Sequence, residues 1–198
     1  MNEYRIKNGV RPTGDDMKTS LINGERIPKS HKVIRVFGCM ERFNVDLQRY
    51  ICLYGESLEK EDRRICRWLI MNLHSFGAFC YWKGEKPEYC FPEIILQAMD
   101  DRISYFEKYI DHCKDFMTYS HLKYIDLDLC RVNARELESA YATWYEFCYG
   151  KQTLKGDLKL MATILNRMSG YLWKLNRYLI LKDGVDEIYW VGGITDFN

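Results

Sequence analysis

Residues 158–179, LKLMATILNRMSGYLWKLNRYL, carry the pattern that decides the fold, because Leu158, Met161, Leu165, Met168, Leu172, Leu175 and Leu179 recur at alternating steps of three and four. That spacing lines one face of an α-helix, whereas a strand collects every second residue on a face. A helix with a single apolar stripe must bury it against other elements. The same periodicity recurs upstream. From Gly38 onward Met40, Phe43, Leu47, Tyr50 or Ile51 and Tyr54 predict a first helix. Residues 61–82 predict a second, with Ile65, Leu69, Leu73, Phe76 and Cys80 in phase, ended by Gly84 and Pro87. A third opens after Pro92, which suits a first helical turn, and continues through Leu96, Met99, Ile103, Phe106, Ile110 and Cys113. A fourth covers 120–149 with Leu122, Ile125, Leu129 and Val132, then Leu137, Tyr141, Trp144 and Cys148, and stops at Gly150. The expectation is an all-α, five-helix bundle in a single domain, residues 1–198, with helices over 38–182.

The ends of the chain read differently. Residues 1–37 hold Gly9, Pro12, Gly14, Gly24 and Pro28 among short polar runs, which predicts an ordered loop. Residues 183–198, with Trp190, Gly192 and Gly193, form a tail expected to be a packed turn without chemistry.

Composition narrows the function classes. The chain has 198 residues, enough to bury about two thirds of its unfolded surface. Its 29 basic residues against 28 acidic give no overall field for nucleic acid or an acidic membrane, so neither is an expected partner. Any anion site must be local, and residues 1–37 carry the local excess of cations, among them Arg26, Lys29, Lys32 and Arg35. Eight cysteines in a chain large enough to need no disulfide, opening without an apolar signal segment, predict free thiols in a reducing cytoplasm. No cysteine or histidine spacing predicts a metal site, and no apolar run is long enough to span a membrane.

Three groups of residues have the chemistry of an anion site. Thr13, Gly14, Asp15 and Thr19, followed by Gly24, Glu25, Arg26 and Lys29, combine a glycine that lets backbone amides approach phosphate with hydroxyl donors and a lysine point charge. Arg131 and Arg135, four apart, face the same way along the fourth helix and could clamp a triphosphate. Asn166 and Arg167 border the apolar stripe of the fifth. Taken singly, each group also describes an ordinary surface turn, a solvated basic face or a polar helix border.

Order and spacing join them. Residues 11–44, RPTGDDMKTSLINGERIPKSHKVIRVFGCMERFN, resemble the signature of PduO-type ATP:cob(I)alamin adenosyltransferases, roughly T-R-T-G-D-x-G-x-T, then G-E-R-x-x-K, then Y-G-T-x-D-E-L-N. Residues 72–79 (NLHSFGAF) are similar to D-L-F-x-L-G-A-x, and residues 99–103 to L-E-x-x-I. Cys130, Arg131 and Arg135 match C-R-R-A-E-R, and residues 165–172 (LNRMSGYL) resemble L-N-R-L-S-D-Y-L. The resemblance is collinear over most of the chain.

It implies a cobalamin adenosyltransferase-like bundle that associates as a homotrimer, with ATP (with magnesium) and a corrinoid held at subunit interfaces. The implied reaction is attack of cob(I)alamin on the 5′ carbon of ATP, giving adenosylcobalamin and triphosphate. Thr13, Gly14, Asp15, Thr19 and Lys29 would bind the phosphates, Arg131 and Arg135 would complete the clamp, and Asn166 would contact nucleotide. Phe116 is the nearest match to a phenylalanine that lies below the corrin, although Met117, Thr118, Tyr119 and Ser120 follow it in place of a Pro-Gly-Gly turn. Other departures fall on the chemistry. Met17 replaces a glycine, Leu127 and Val132 replace arginines, Ala134 a glutamate and Gly170 an aspartate, and Arg42 reverses an acid. The readings are therefore a divergent adenosyltransferase, a noncatalytic nucleotide- or corrinoid-binding protein of the same fold, or a structural bundle that oligomerises through aromatic faces. Convergence of Lys29, Arg131 and Asn166 on one cleft is the geometry the two ligand-binding readings require.

Overall fold

A computed structural model describes residues 14–113 and 116–190. Among them are five α-helices: α1 (Lys32–Tyr54), α2 (Lys60–Tyr81), α3 (Glu93–Phe106), α4 (Leu122–Tyr149) and α5 (Gly156–Lys182). They close into a ring in which α1 packs on α2 and α4, α5 on α4 and α3, and α3 returns to α2. The stripe of α5 fills the centre. Met161, Leu165, Met168, Leu172, Leu175 and Leu179 are buried there with Ile164 and Tyr171, against Phe43 and Leu47 of α1 and Leu69, Leu73 and Phe76 of α2. No helix is long and apolar enough to cross a membrane among the described residues. Charged groups sit inside as well, among the described residues Asp62, Asp126 and Arg177. Asp62, fully buried on α2, accepts from Arg102 of α3 and from the Tyr171 hydroxyl of α5, which ties three helices together.

The structure corrects four expectations. First, α1 begins at Lys32, six residues before Gly38, because Val33 and Val36 continue its buried stripe and His31 caps it by accepting the Val33 N–H at Nδ1. Second, α3 ends at Phe106 instead of running to Cys113; the buried Arg177 side chain donates to the Asp111 carbonyl, a tertiary bond that competes with continued helix. Third, Leu122, Ile125, Leu129 and Val132 do not face the core. They lie exposed, and Tyr124, Leu127, Cys130, Ala134 and Leu137 are buried instead. The first half of α4 carries two apolar stripes, and spacing alone does not say which one the bundle covers. The helix does end at Gly150, whose positive φ of 64° favours glycine.

Fourth, the connecting segments contain short strands. β1 (Lys18–Ser20) and β2 (Arg26–Pro28) pair antiparallel with Thr19 opposite Ile27. The tail contributes β4 (Ile188–Tyr189), which pairs antiparallel with β3 (Met117–Thr118).

Candidate functional site

Residues 14–31 form a compact hairpin at the N-terminal end of α1. A turn at Gly14–Asp16 leads into β1, and the Asp16 carboxylate accepts both the Lys18 N–H, at 3.1 Å, and Arg26 Nη2, at 2.6 Å. The Arg26 guanidinium holds the Asp16 carboxyl below its ordinary range. Lys29 closes the loop twice, its backbone N–H donating to the Met17 carbonyl at 2.8 Å and its ammonium to the Gly14 carbonyl at 2.8 Å. A Cβ on Gly14 would stand 3.1 Å from that ammonium, so the glycine lets the lysine lie across the turn. Met17, which replaces a family glycine, has a φ of 60°. The loop therefore keeps a backbone that glycine adopts without cost. Its side chain points into solvent, 73% exposed, and does not fill the turn. Thr19 is half-buried in β1 and Asp15 is exposed in the turn, whereas Thr13 lies outside the described residues.

This hairpin edges a cleft of about 620 Å³ lined by Lys29, Ser30, Lys32 and Arg35 on one side and by Glu136, Ser139 and Thr143 of α4 on the other. The first turn of α1 contains no acidic residue and places Lys32 and Arg35 there. Cations oppose the helix dipole at an N-terminus, so this arrangement weakens an empty helix end and suits a bound anion. Glu136 offsets part of the charge, with Arg35 at 4.0 Å and Arg42 at 3.8 Å; all three side chains are largely exposed, so these pairs add little stability.

The other candidate residues lie on the side of α4 that faces α5. Arg131, Arg135, Ser169, Gly170 and Trp173 line a recess of about 290 Å³. Arg131 is oriented by Asp128, Nε to Oδ1 at 2.6 Å and Nη2 to Oδ2 at 3.0 Å, and Asp128 also accepts the Tyr119 hydroxyl at 3.2 Å. The hydrogen bond to Asp128 keeps the Arg131 guanidinium firmly protonated. Asn166, one turn from Gly170, donates to Glu138 at 3.0 Å. A Cβ at Gly170 would meet open space, so an acidic side chain could stand there. Phe116 is 80% exposed and its carbonyl accepts the Trp190 N–H at 2.7 Å.

Lys29 and Arg131 thus line separate recesses, so the expected convergence on one cleft is not met within one chain, and a ligand-binding reading then requires the cleft to lie between two copies. The substituted positions also separate. Val132 is exposed on α4, but Leu127 and Ala134 are fully buried. An arginine at Leu127 would be an interior charge, which removes that position from any clamp. Sequence reasoning placed Lys32 and Arg35 in the local excess of cations but in a loop instead of a helix start, and it missed Glu136, which sits on an unassigned helix face.

Comparison with known proteins adds a family. The family model for cobalamin adenosyltransferase matches residues 10–179. None of the curated proteins matches the chain in sequence. Among solved structures, the fold matches a PduO-type ATP:corrinoid adenosyltransferase from Lactobacillus reuteri in a phenylalanine-to-alanine variant complexed with cobalamin and ATP. The TM-score is 0.68 at 13% identity, covering 91% of this chain and 97% of that one. A phenylalanine-to-histidine variant, also complexed with cobalamin and ATP, gives 0.66 at 14% identity, covering 90% and 94%. An arginine-to-lysine variant complexed with ATP gives 0.67 at 14%, covering 90% and 98%.

Proposed function

The chain belongs to the cobalamin adenosyltransferase family, and from that premise we propose that it binds ATP and a corrinoid between copies of itself and transfers the 5′-deoxyadenosyl group to cob(I)alamin. The observation that carries the reading is the cleft at the start of α1. A hairpin stitched by Lys29 retains a glycine-like backbone at Met17 and sets Lys29, Lys32 and Arg35 around a helix N-terminus. These are the features of a polyphosphate site.

The division of residues between two recesses favours a site shared by two copies. One copy supplies the hairpin with Lys29, and its neighbour supplies Arg131, Arg135 and Asn166. The exposed apolar residues Leu122, Ile125 and Leu129 on the same helix give such an association a surface to bury, consistent with a homotrimer.

In the reaction the nucleophilic cobalt forms a bond to C5′ of ATP as the C5′–oxygen bond breaks and triphosphate departs with the electron pair. The residues of this chain act on that leaving group. Lys29 and the helix N-terminus hold phosphate oxygens, magnesium would share their charge, and Arg131, held in place by Asp128, stabilises the charge that develops. Thr13, Thr19 and the amides of the turn around Gly14 and Asp15 supply further donors.

The test is formation of adenosylcobalamin from ATP and chemically reduced cobalamin, read by absorbance, together with thermal unfolding with and without MgATP. Product formation, and a stabilisation by MgATP that Lys29→Ala abolishes, are the expected results; no product and no ligand-induced shift would refute the proposal. Val132, exposed where the family has an arginine, favours a second reading, a homologue that binds both ligands without turnover. Saturable binding without product would select it.

A further inference from the structure

The outer face of α2 carries a row of cations that neither the bundle nor the proposed reaction uses. Lys60, Arg64, Arg67 and Met71 follow one another at steps of four, three and four, so they stand in line on one face of the helix over about 16 Å. All four are exposed, Met71 to 78%. With Arg63 and Trp68 they line a hollow of about 570 Å³. No residue of the hollow borders the cleft at the start of α1 or the recess between α4 and α5, so an occupant there leaves both open.

Most of these charges find no partner within the chain. The Arg63 guanidinium donates to the Glu56 carboxylate at 2.9 Å and to the Leu58 carbonyl at 3.3 Å, but Lys60, Arg64 and Arg67 enter no ion pair among the described residues. Lys60 and Arg64 are four apart, Arg64 and Arg67 three, and Arg63 and Arg67 four, spacings at which like charges on a helix repel. Lys60 also opens the helix, where a cation opposes the dipole. The fold is therefore weakened by this row, and a line of carboxylates laid against it turns repulsion into attraction. Beside the cations, Trp68 is half-buried, its ring set edge-to-face against Phe91 with centroids 5.1 Å apart, and it gives the hollow an apolar wall next to Met71.

We propose that this row docks an acidic helical segment of a partner protein, whose carboxylates lie along Lys60, Arg64 and Arg67 and whose apolar side chain rests on Met71 and Trp68. A helix lying alongside α2 repeats its side chains at the same steps of three and four, so its carboxylates meet the cations in register. Charge complementarity selects the partner and steers its approach, and the apolar end fixes the direction in which it lies. Nucleic acid fits less well, because three cations over about 10 Å oppose only a few phosphates. A membrane surface also fits less well, since Met71 alone protrudes while Trp68 is held against Phe91.

The experiment measures, by fluorescence anisotropy, binding of the full chain to a labelled alanine-based helical peptide that carries three glutamates and a leucine at the steps of the row. A scrambled peptide of the same composition and a duplex DNA oligonucleotide are the comparisons, with co-sedimentation on anionic phospholipid vesicles measured in parallel. The aligned peptide is expected to bind at least about tenfold tighter than the scrambled one, and to weaken as salt rises. Arg64→Gln combined with Arg67→Gln should weaken it by about tenfold or more, and Met71→Ala by about threefold. The melting temperature of the double variant should be no lower than that of wild type, since a like-charge repulsion is removed. No peptide binding, equal binding of the aligned and scrambled peptides, or full binding by the double variant would overturn the proposal. Lost binding together with a lowered melting temperature would assign both arginines to the fold and overturn it as well. Tighter binding of the oligonucleotide or the vesicles than of the peptide, lost in the double variant, would overturn it in favour of another class of partner.

Discussion

Met17→Gly tests whether the phosphate loop is held in a backbone conformation that its own sequence disfavours. A left-handed φ in an L-residue costs about 1–2 kcal/mol, and Met17 has a φ of 60°. Glycine removes that cost but loses about 0.5–1 kcal/mol more conformational entropy on folding. The side chain is 73% exposed, so its removal forfeits little packing, and the hydrogen bond from Lys29 to the Met17 carbonyl belongs to the backbone and survives. The net expectation is a gain of about 0.5–1 kcal/mol, or a melting temperature about 2 °C higher for a chain of this size. Because the side chain points into solvent and does not fill the turn, the further stabilisation by saturating MgATP should stay the same. Differential scanning calorimetry of wild type, Met17→Gly and Met17→Ala, each with and without MgATP, makes the measurement. Alanine retains the strained φ and should gain nothing. Equal stabilisation by alanine and glycine would refute the backbone argument, and a destabilised Met17→Gly would refute the assigned conformation.

Three further outcomes follow from the site and the tail. Val132→Arg adds a guanidinium at an exposed position of α4 and should raise MgATP affinity or adenosyl transfer by about tenfold or more, the worth of one charged hydrogen bond, as read by steady-state kinetics and calorimetry. Ala134→Glu, although it restores a family residue, puts a carboxylate where the side chain is fully buried and should cost about 3 kcal/mol or more in urea unfolding. At Glu187 burial alone would raise the carboxyl, but the hydrogen bonds from Arg177 and Tyr189 outweigh it and hold the carboxyl below its ordinary value. That stabilisation is fully present above the ordinary carboxylate range and is lost as pH falls through the lower folded value. Glu187→Gln should therefore be about 2 kcal/mol less stable than wild type near neutrality, and the gap in melting temperature should narrow as pH falls below the ordinary carboxylate range.

The bundle was legible wherever one apolar stripe stood alone. Ile65, Leu69, Leu73, Phe76 and Cys80 of α2 and the α5 stripe from Met161 to Leu179 are buried as their spacing requires, with Leu158 half-buried at the helix start, because nothing on the opposite face competes. On α4 two stripes compete, and only the packed bundle decides that Tyr124, Leu127 and Ala134 go inside while Ile125, Leu129 and Val132 stay out. That choice also settles which substitutions bear on an anion site, so Leu127 and Ala134 could not be weighed from sequence. Strands of two or three residues have too few positions to show alternation, and β1 to β4 escaped notice for that reason. The start of α1 was hidden by its unusual histidine cap. Collinear motifs pointed to Gly14, Lys29, Arg131 and Asn166, but linear order says nothing about which groove of a helix a side chain enters. The placement of Lys29 and Arg131 in separate recesses is a property of the ring.

That placement gives the most direct test of a shared site. Lys29→Ala and Arg131→Ala each remove one half, so each variant alone should fail to form adenosylcobalamin. If hairpin and clamp come from different copies, unfolding and refolding an equimolar mixture should rebuild some intact sites, about a quarter of them when copies combine at random. The account predicts recovery of about a quarter of wild-type adenosylcobalamin formation in the mixture. A mixture as inactive as its two parents, beside an active wild type, would contradict the shared site, and a wild type that forms no product would contradict the proposed reaction itself.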